Sequence, residues 1–145
     1  MTPATIVLVD DDRGVLTLQQ SVLGDMGLAS EAYTSGEDAW QRLRRGNVKL
    51  AIVDLEMPEP DGLELLRRLR DQPDPPAVII LSAHADPLRD ARRRLSGGSE
   101  TRILKEITES VAGILSKPFN IAAYRVLIRE ALHLPDTSAD PAANR

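Results

Sequence analysis

Three short apolar runs constrain the architecture more than any other feature of this chain: residues 5–9 (TIVLV), 50–53 (LAIV) and 77–81 (AVIIL). Each is rich in β-branched side chains and continuous. A strand with one face in water would alternate apolar and polar residues, whereas an unbroken run suits a parallel strand buried on both faces. Residues 29–33 read as a weaker edge strand, and residues 111–115 as a fifth. Between the runs lie helical patterns. Val15, Leu18, Val22 and Met26 recur at helical spacing, with Gly27 placed as a stop. Ser35 stands ready to cap a short helix carrying Ala39 and Leu43 and ended by Gly46. Asp61 and Glu64 have capping-box spacing ahead of Leu65, Leu66 and Leu69, and Asn120 precedes Tyr124, Leu127, Ile128 and Ala131.

The rhythm is a strand followed by a helix, five times over. It predicts an α/β fold with a parallel sheet, right-handed crossovers and helices on both faces. With 145 residues the chain suits one domain, here residues 1–133. Residues 134–145 (LPDTSADPAANR) are polar and proline-rich, which predicts an unpacked tail or linker. Aromatic residues make up only 3% of the chain, so the core has to be aliphatic. The absence of cysteine excludes disulfides, thiolate metal sites and a cysteine nucleophile. A net charge of −4 gives no support to nucleic-acid binding. No run nears the roughly 20 apolar residues that cross a bilayer, and no signal-peptide pattern opens the chain. A soluble, cytoplasmic protein is the expectation.

In open parallel sheets, ligands bind at the carboxyl ends of the strands. Asp10, Asp11 and Asp12 follow the first run, Asp54 the second, Ser82 the third, and Ser116 and Lys117 the last. Crowded carboxylates repel and raise one another's pKa, a cost that a hard divalent cation removes. Mg²⁺ favours such a site, with a few carboxylates, retained waters and phosphate oxygens. Lysine supplies a point charge for an anion and serine a hydroxyl donor. Together these are the parts of a phosphoryl-transfer site whose nucleophile is a carboxylate. Taken singly, each residue reads as a turn, a helix cap or a surface side chain; their convergence carries the reading.

The stretch DLEMPEPDG, from Asp54 to Gly62, resembles the phosphoacceptor signature D-x-x-M-P-x-x-D-G of bacterial response-regulator receiver domains. IVLVDDD, VIILSA and LSKPF resemble the other three signatures of that family, in the same order. The resemblance implies a flavodoxin-like doubly wound sheet of five strands in the order 2-1-3-4-5. It implies that Asp54 takes a phosphoryl group from a phosphohistidine on a sensor histidine kinase or phosphotransfer protein. Asp10, Asp11, Asp54 and the main-chain carbonyl of Glu56 would hold Mg²⁺, and Lys117 would pair with a phosphoryl oxygen, aimed by a cis bond to Pro118. Ser82 would swing toward the phosphoryl group. Met57, Pro58 and Gly62 would shape the loop after the acceptor, with simple packing equally open for Met57. Glu56 and His84 occupy the positions that tune phosphoryl lifetime, although an ordinary loop histidine is also open for His84. Asp12 reads better as a helix cap than as a metal ligand.

Two departures stand out. Where the family carries an aromatic switch residue on the fifth strand, this chain has Ile114. Lys117 stands 35 positions after Ser82, against about 20 for a loop, a helix and a loop. The excess, over residues 86–110, predicts a lengthened or split fourth helical region broken at Gly97-Gly98. In the family, output runs through the surface of helix 4, strand 5 and helix 5, so partner choice is expected there. Arg92, Arg93 and Arg94 are either a basic contact patch or a solvated face.

The expected function is therefore a phosphorylation-controlled receiver, free-standing or part of a longer regulator. Its partners would be a kinase and a downstream output domain or protein, with a homodimer possible and neither nucleic acid nor membrane bound directly. Enzymatic turnover is not expected beyond self-phosphorylation and self-dephosphorylation. A haloacid-dehalogenase-type phosphatase needs an aspartate two residues after its nucleophile, and Glu56 stands there instead. A phosphate-independent scaffold for dimerisation or docking is the alternative.

Overall fold

The structure is a computed structural model and describes residues 5–58, 60–83 and 111–135. Five strands, β1 (Ile6–Val9), β2 (Ser30–Tyr33), β3 (Leu50–Asp54), β4 (Ala77–Ser82) and β5 (Gly113–Ser116), form one sheet in the order β2-β1-β3-β4-β5. Every neighbouring pair is parallel. This is the expected doubly wound, flavodoxin-like arrangement. The order reverses around β1, which places the crevice at the carboxyl ends of β1 and β3.

Helices α1 (Arg13–Asp25), α2 (Gly36–Leu43), α3 (Gly62–Arg70) and α4 (Ile121–Ala131) cover the sheet. The period-two alternation of a strand sorts the apolar runs into two cores. Val7, Val9, Ala51, Val53 and Ile80 meet Ala39, Leu43, Leu63, Leu65, Leu66 and Leu69 on the side of α2 and α3. Ile6, Leu8, Leu50, Ile52, Ile79 and Leu81 meet Leu16, Val22, Leu23, Tyr124 and Ile128 on the side of α1 and α4. Each fully buried aliphatic side chain contributes about 1.5–3 kcal/mol, so both faces of each run are needed. Across the second core, the buried Tyr124 hydroxyl donates to Gln19 Oε1 at 2.9 Å, tying α4 to α1. Burial pushes that phenol above its ordinary pKa.

The four caps fall where the sequence places them. Asp12, Ser35, Asp61 and Asn120 each accept backbone N–H groups of the first turn that follows, satisfying donors that a helix start leaves free. After α1, Gly27 takes a φ of 76°, a conformation that glycine enters without a side-chain penalty.

Several bounds differ from the expectation. Asp54 and Ser82 are the last rungs of β3 and β4 rather than the residues after them, because Asp54 is in register with Leu81 and Ser82 with Ser116. The fifth strand begins at Gly113 instead of residue 111, and Val111 packs against the α2–α3 core ahead of it. The expected split helical region at 86–110, with Arg92, Arg93, Arg94 and the Gly97-Gly98 break, lies outside the described residues. His84 and residues 136–145 lie outside them as well.

Candidate functional site

Asp10 directly follows β1 and is fully buried, held there by its own N–H, which donates to the Tyr33 carbonyl at 3.1 Å. Its Oδ1 accepts the Asp12 N–H at 2.9 Å. Asp11 is exposed beside it. Asp12 faces away as the α1 cap, bonding Gly14 N–H at 2.8 Å and Val15 N–H at 3.3 Å.

Asp54 is 2% exposed. Its Oδ1 accepts the Glu56 N–H at 3.0 Å, which orients the carboxylate. Lys117 bridges the two buried acids, with Nζ 2.6 Å from Asp10 Oδ2 and 3.1 Å from Asp54 Oδ2. The lysine is positioned from β5, where its N–H donates to the Ser82 carbonyl at 2.7 Å and its peptide to Pro118 is cis. Asp10, Asp11 and Asp54 each offer a carboxylate oxygen, all within 4.8 Å of one another.

The electrostatics follow from this crowding. Burial first, then the charge of Asp10, push the Asp54 carboxyl from its ordinary 3.8 up to about 7, against the pull of the Glu56 amide and the Lys117 ammonium. Burial alone would lower the Lys117 pKa, but Asp10 and Asp54 more than offset that and hold it above the ordinary value. One ammonium does not balance three converging carboxylates. Three hard oxygen donors, still short of positive charge, fit a divalent cation such as Mg²⁺.

Ser82 is fully buried at the end of β4. Its hydroxyl donates to Glu56 Oε1 at 2.5 Å, and the next N–H, of Ala83, donates to Glu56 Oε2 at 3.2 Å. The Glu56 side chain thus reaches across from the β3 loop to the end of β4. The resemblance assigns Glu56 a metal-facing carbonyl and a lifetime-tuning position, and does not reveal its contacts with the Ser82 hydroxyl and the Ala83 amide. The strand order itself is the signal, since it sets the residue after β4 beside the loop after β3.

Met57 is half-buried against the α2–α3 core, which favours its packing role, and Pro58 is exposed. Gly62 is required by a close approach of two elements. A Cβ there would stand 2.2 Å from the Asp54 carbonyl oxygen and 2.7 Å from Leu55 Cα, so glycine lets the start of α3 touch the end of β3. Ile114 pairs in register with Ile80 and is 38% exposed. It presents an aliphatic side chain outward and fills no inner aromatic position. Phe119 stacks on Tyr124 with ring centroids 4.8 Å apart.

A parallel sheet that gathers buried acids, a hydroxyl and an ammonium at its switch point defines the class: a doubly wound α/β domain with a cation-ready acidic site at its strand ends. Residues 6–112 match the response regulator receiver domain family, and the chain belongs to that family. It is 31% identical over 134 residues to the heme response regulator HssR of Staphylococcus epidermidis, covering 92% of this chain and 54% of that protein. It is 33% identical over 139 residues to the transcriptional regulatory protein GlrR of Escherichia coli, covering 95% of this chain and 28% of that one. The chain therefore spans about half or less of the length of these curated relatives. Among solved structures, a response regulator receiver protein from Burkholderia phymatum superposes with a TM-score of 0.68 at 26% identity, covering 91% of this chain and 97% of that one. A CheY-like receiver domain from Methanospirillum hungatei shares the fold with a TM-score of 0.72 at 18% identity, covering 91% and 95%. The family is that of two-component signalling proteins. No helix among the described residues is long and apolar enough to cross a membrane.

Proposed function

We propose that this chain is a phosphoacceptor receiver in which Asp54 takes a phosphoryl group from the phosphohistidine of a sensor kinase or phosphotransfer protein and so controls a downstream output. The observation that carries this is the Lys117 ammonium bridging two buried carboxylates at the switch point, 2.6 Å from Asp10 and 3.1 Å from Asp54. A merely structural lysine would not be spent on bringing two acids together.

In the transfer, an Asp54 carboxylate oxygen forms the new P–O bond as the P–N bond to the donor imidazole breaks. The departing nitrogen keeps the electron pair and takes a proton from water. The Glu56 N–H holds the carboxylate in place before attack, and Lys117 follows the charge as it moves onto the phosphoryl oxygens. Asp10, Asp11, Asp54 and the Glu56 carbonyl would hold Mg²⁺. Such an ion, when bound, supplies charge neutralisation at the phosphoryl oxygens. Attack of water on the phosphorus breaks the P–O bond to Asp54, releasing inorganic phosphate and returning the free carboxylate, so no separate substrate is turned over. The receiver unit is residues 1–133, and the output is read from the family's surface of helix 4, strand 5 and helix 5, whose last two elements are β5 and α4 in this chain.

The test is acetyl phosphate with Mg²⁺, followed by intact-protein mass spectrometry. One added phosphoryl group on the native chain, abolished by Asp54→Asn, is the expected result. No adduct under these conditions, together with no binding of beryllofluoride, would leave a phosphate-independent scaffold as the better description.

A further inference from the structure

Four donors stand at the sheet edge around Asp54: the Lys117 ammonium, the Glu56 N–H, the Ser82 hydroxyl and the Ala83 N–H. The first two already touch Asp54. The other two are engaged by the two oxygens of the Glu56 carboxylate, at 2.5 Å and 3.2 Å. Ser82 directly follows Leu81, the register partner of Asp54, so this pair of donors lies one rung from the acceptor.

We propose that the Glu56 carboxylate is a resident competitor of the phosphoryl group, a positioning residue that holds the Ser82 hydroxyl and the Ala83 amide until an anion on Asp54 displaces it. This rests on Asp54 being the acceptor. A phosphoryl group there adds about −1.5 to −2 charge and three acceptor oxygens, which need donors close by. The Ser82 hydroxyl has one proton to give, so bonding the new anion means releasing Glu56. The Ala83 amide faces the same choice. Glu56 also carries a negative charge two residues from the acceptor, which disfavours a second anion beside it. Both effects act in one direction: the side chain raises the free energy of the phosphorylated state relative to the resting one.

The prediction separates contact from charge. Glu56→Ala removes both, whereas Glu56→Gln removes the charge and keeps one carbonyl oxygen able to accept from Ser82 or Ala83. Neither change touches the main-chain carbonyl of residue 56. Calorimetric titration with beryllofluoride in the presence of Mg²⁺ reads the effect directly. Glu56→Ala is expected to bind about tenfold more tightly than the native chain and Glu56→Gln about threefold, the scale of a charge-assisted hydrogen bond released. Native-like melting curves accompany each titration, and Glu56→Gln, which changes no side-chain volume, decides the matter where Glu56→Ala folds poorly. Native binding with unchanged or weaker affinity in both variants would overturn the competitor role and leave Asp54 as acceptor. Failure of the native chain to bind, with Asp54→Asn no different from it, would overturn the acceptor reading and this inference with it.

Discussion

Asp54 is the carboxylate at the site whose protonation the fold shifts, through burial and the neighbouring Asp10. Its carboxyl titrates near 7 in the folded chain against an ordinary 3.8, so the native state holds that proton more tightly than the unfolded chain does. The contribution of this group to stability is intact below about pH 4 and is lost as the pH rises through about 7. In buffer free of divalent cations, denaturant unfolding is expected to show this decline, and Asp54→Asn to remove it. The variant should be more stable than the native chain by about 2–3 kcal/mol at about pH 8. Identical pH slopes for the two proteins would mean that Asp54 ionises in the ordinary range. Asp54 and Lys117 were both legible from the sequence, since each stands at the end of an apolar run. The destination of the Glu56 side chain was not, because it depends on a partner 26 positions away that only the strand order brings near.

At the scale of elements, two contacts hold the site's frame and can be tested singly. Gly62→Ala would force a Cβ against the Asp54 carbonyl and Leu55, where backbone stands on the other side and cannot swing aside. We expect a loss of about 2–4 kcal/mol in unfolding free energy, with weaker Mg²⁺ affinity, because α3 would push on the strand end that carries Asp54. Unaltered metal affinity would uncouple α3 from the site. Tyr124→Phe keeps the stack on Phe119 and removes the only described hydrogen bond of the Gln19 side chain, in a buried setting. The expected cost is about 1–2 kcal/mol, read by chemical denaturation, with no change in beryllofluoride affinity. Caps and amphipathic spacing announced all four described helices. The Tyr124–Gln19 bond was invisible in the sequence, where the pair is 105 positions apart and the helical spacing set Leu18 on the buried face. In the structure Leu18 is 43% exposed and Gln19 is buried in its stead, because its amide finds the Tyr124 hydroxyl.

For the molecule as a whole, the metal site and the fold share one free energy. Three carboxylates from two strands converge only when the sheet is formed, so a cation that binds them favours the folded chain. At a Mg²⁺ concentration about a hundredfold above its dissociation constant, the gain should be about 2.7 kcal/mol. Thermal melts with Mg²⁺ and with chelator are expected to differ accordingly, and the gap to shrink as the pH falls below about 6 and protons compete for Asp54. A melting point indifferent to Mg²⁺ would argue against the site. The global architecture was readable early because buried parallel strands leave continuous apolar runs. Strand ends were read less well: Asp54 and Ser82 are polar residues that remain in the ladder, held by neighbours that composition does not reveal.

That ladder continues past the formal strand ends. The Leu55 N–H donates to the Leu81 carbonyl at 3.1 Å, and the Lys117 N–H to the Ser82 carbonyl at 2.7 Å. Aspartate, alcohol and amine are consequently laced to one lattice whose spacings are settled when the chain folds. A change at Asp54 therefore meets backbone already tied on both neighbouring strands, with the side-chain torsions of Glu56, Ser82 and Lys117 turning beside it.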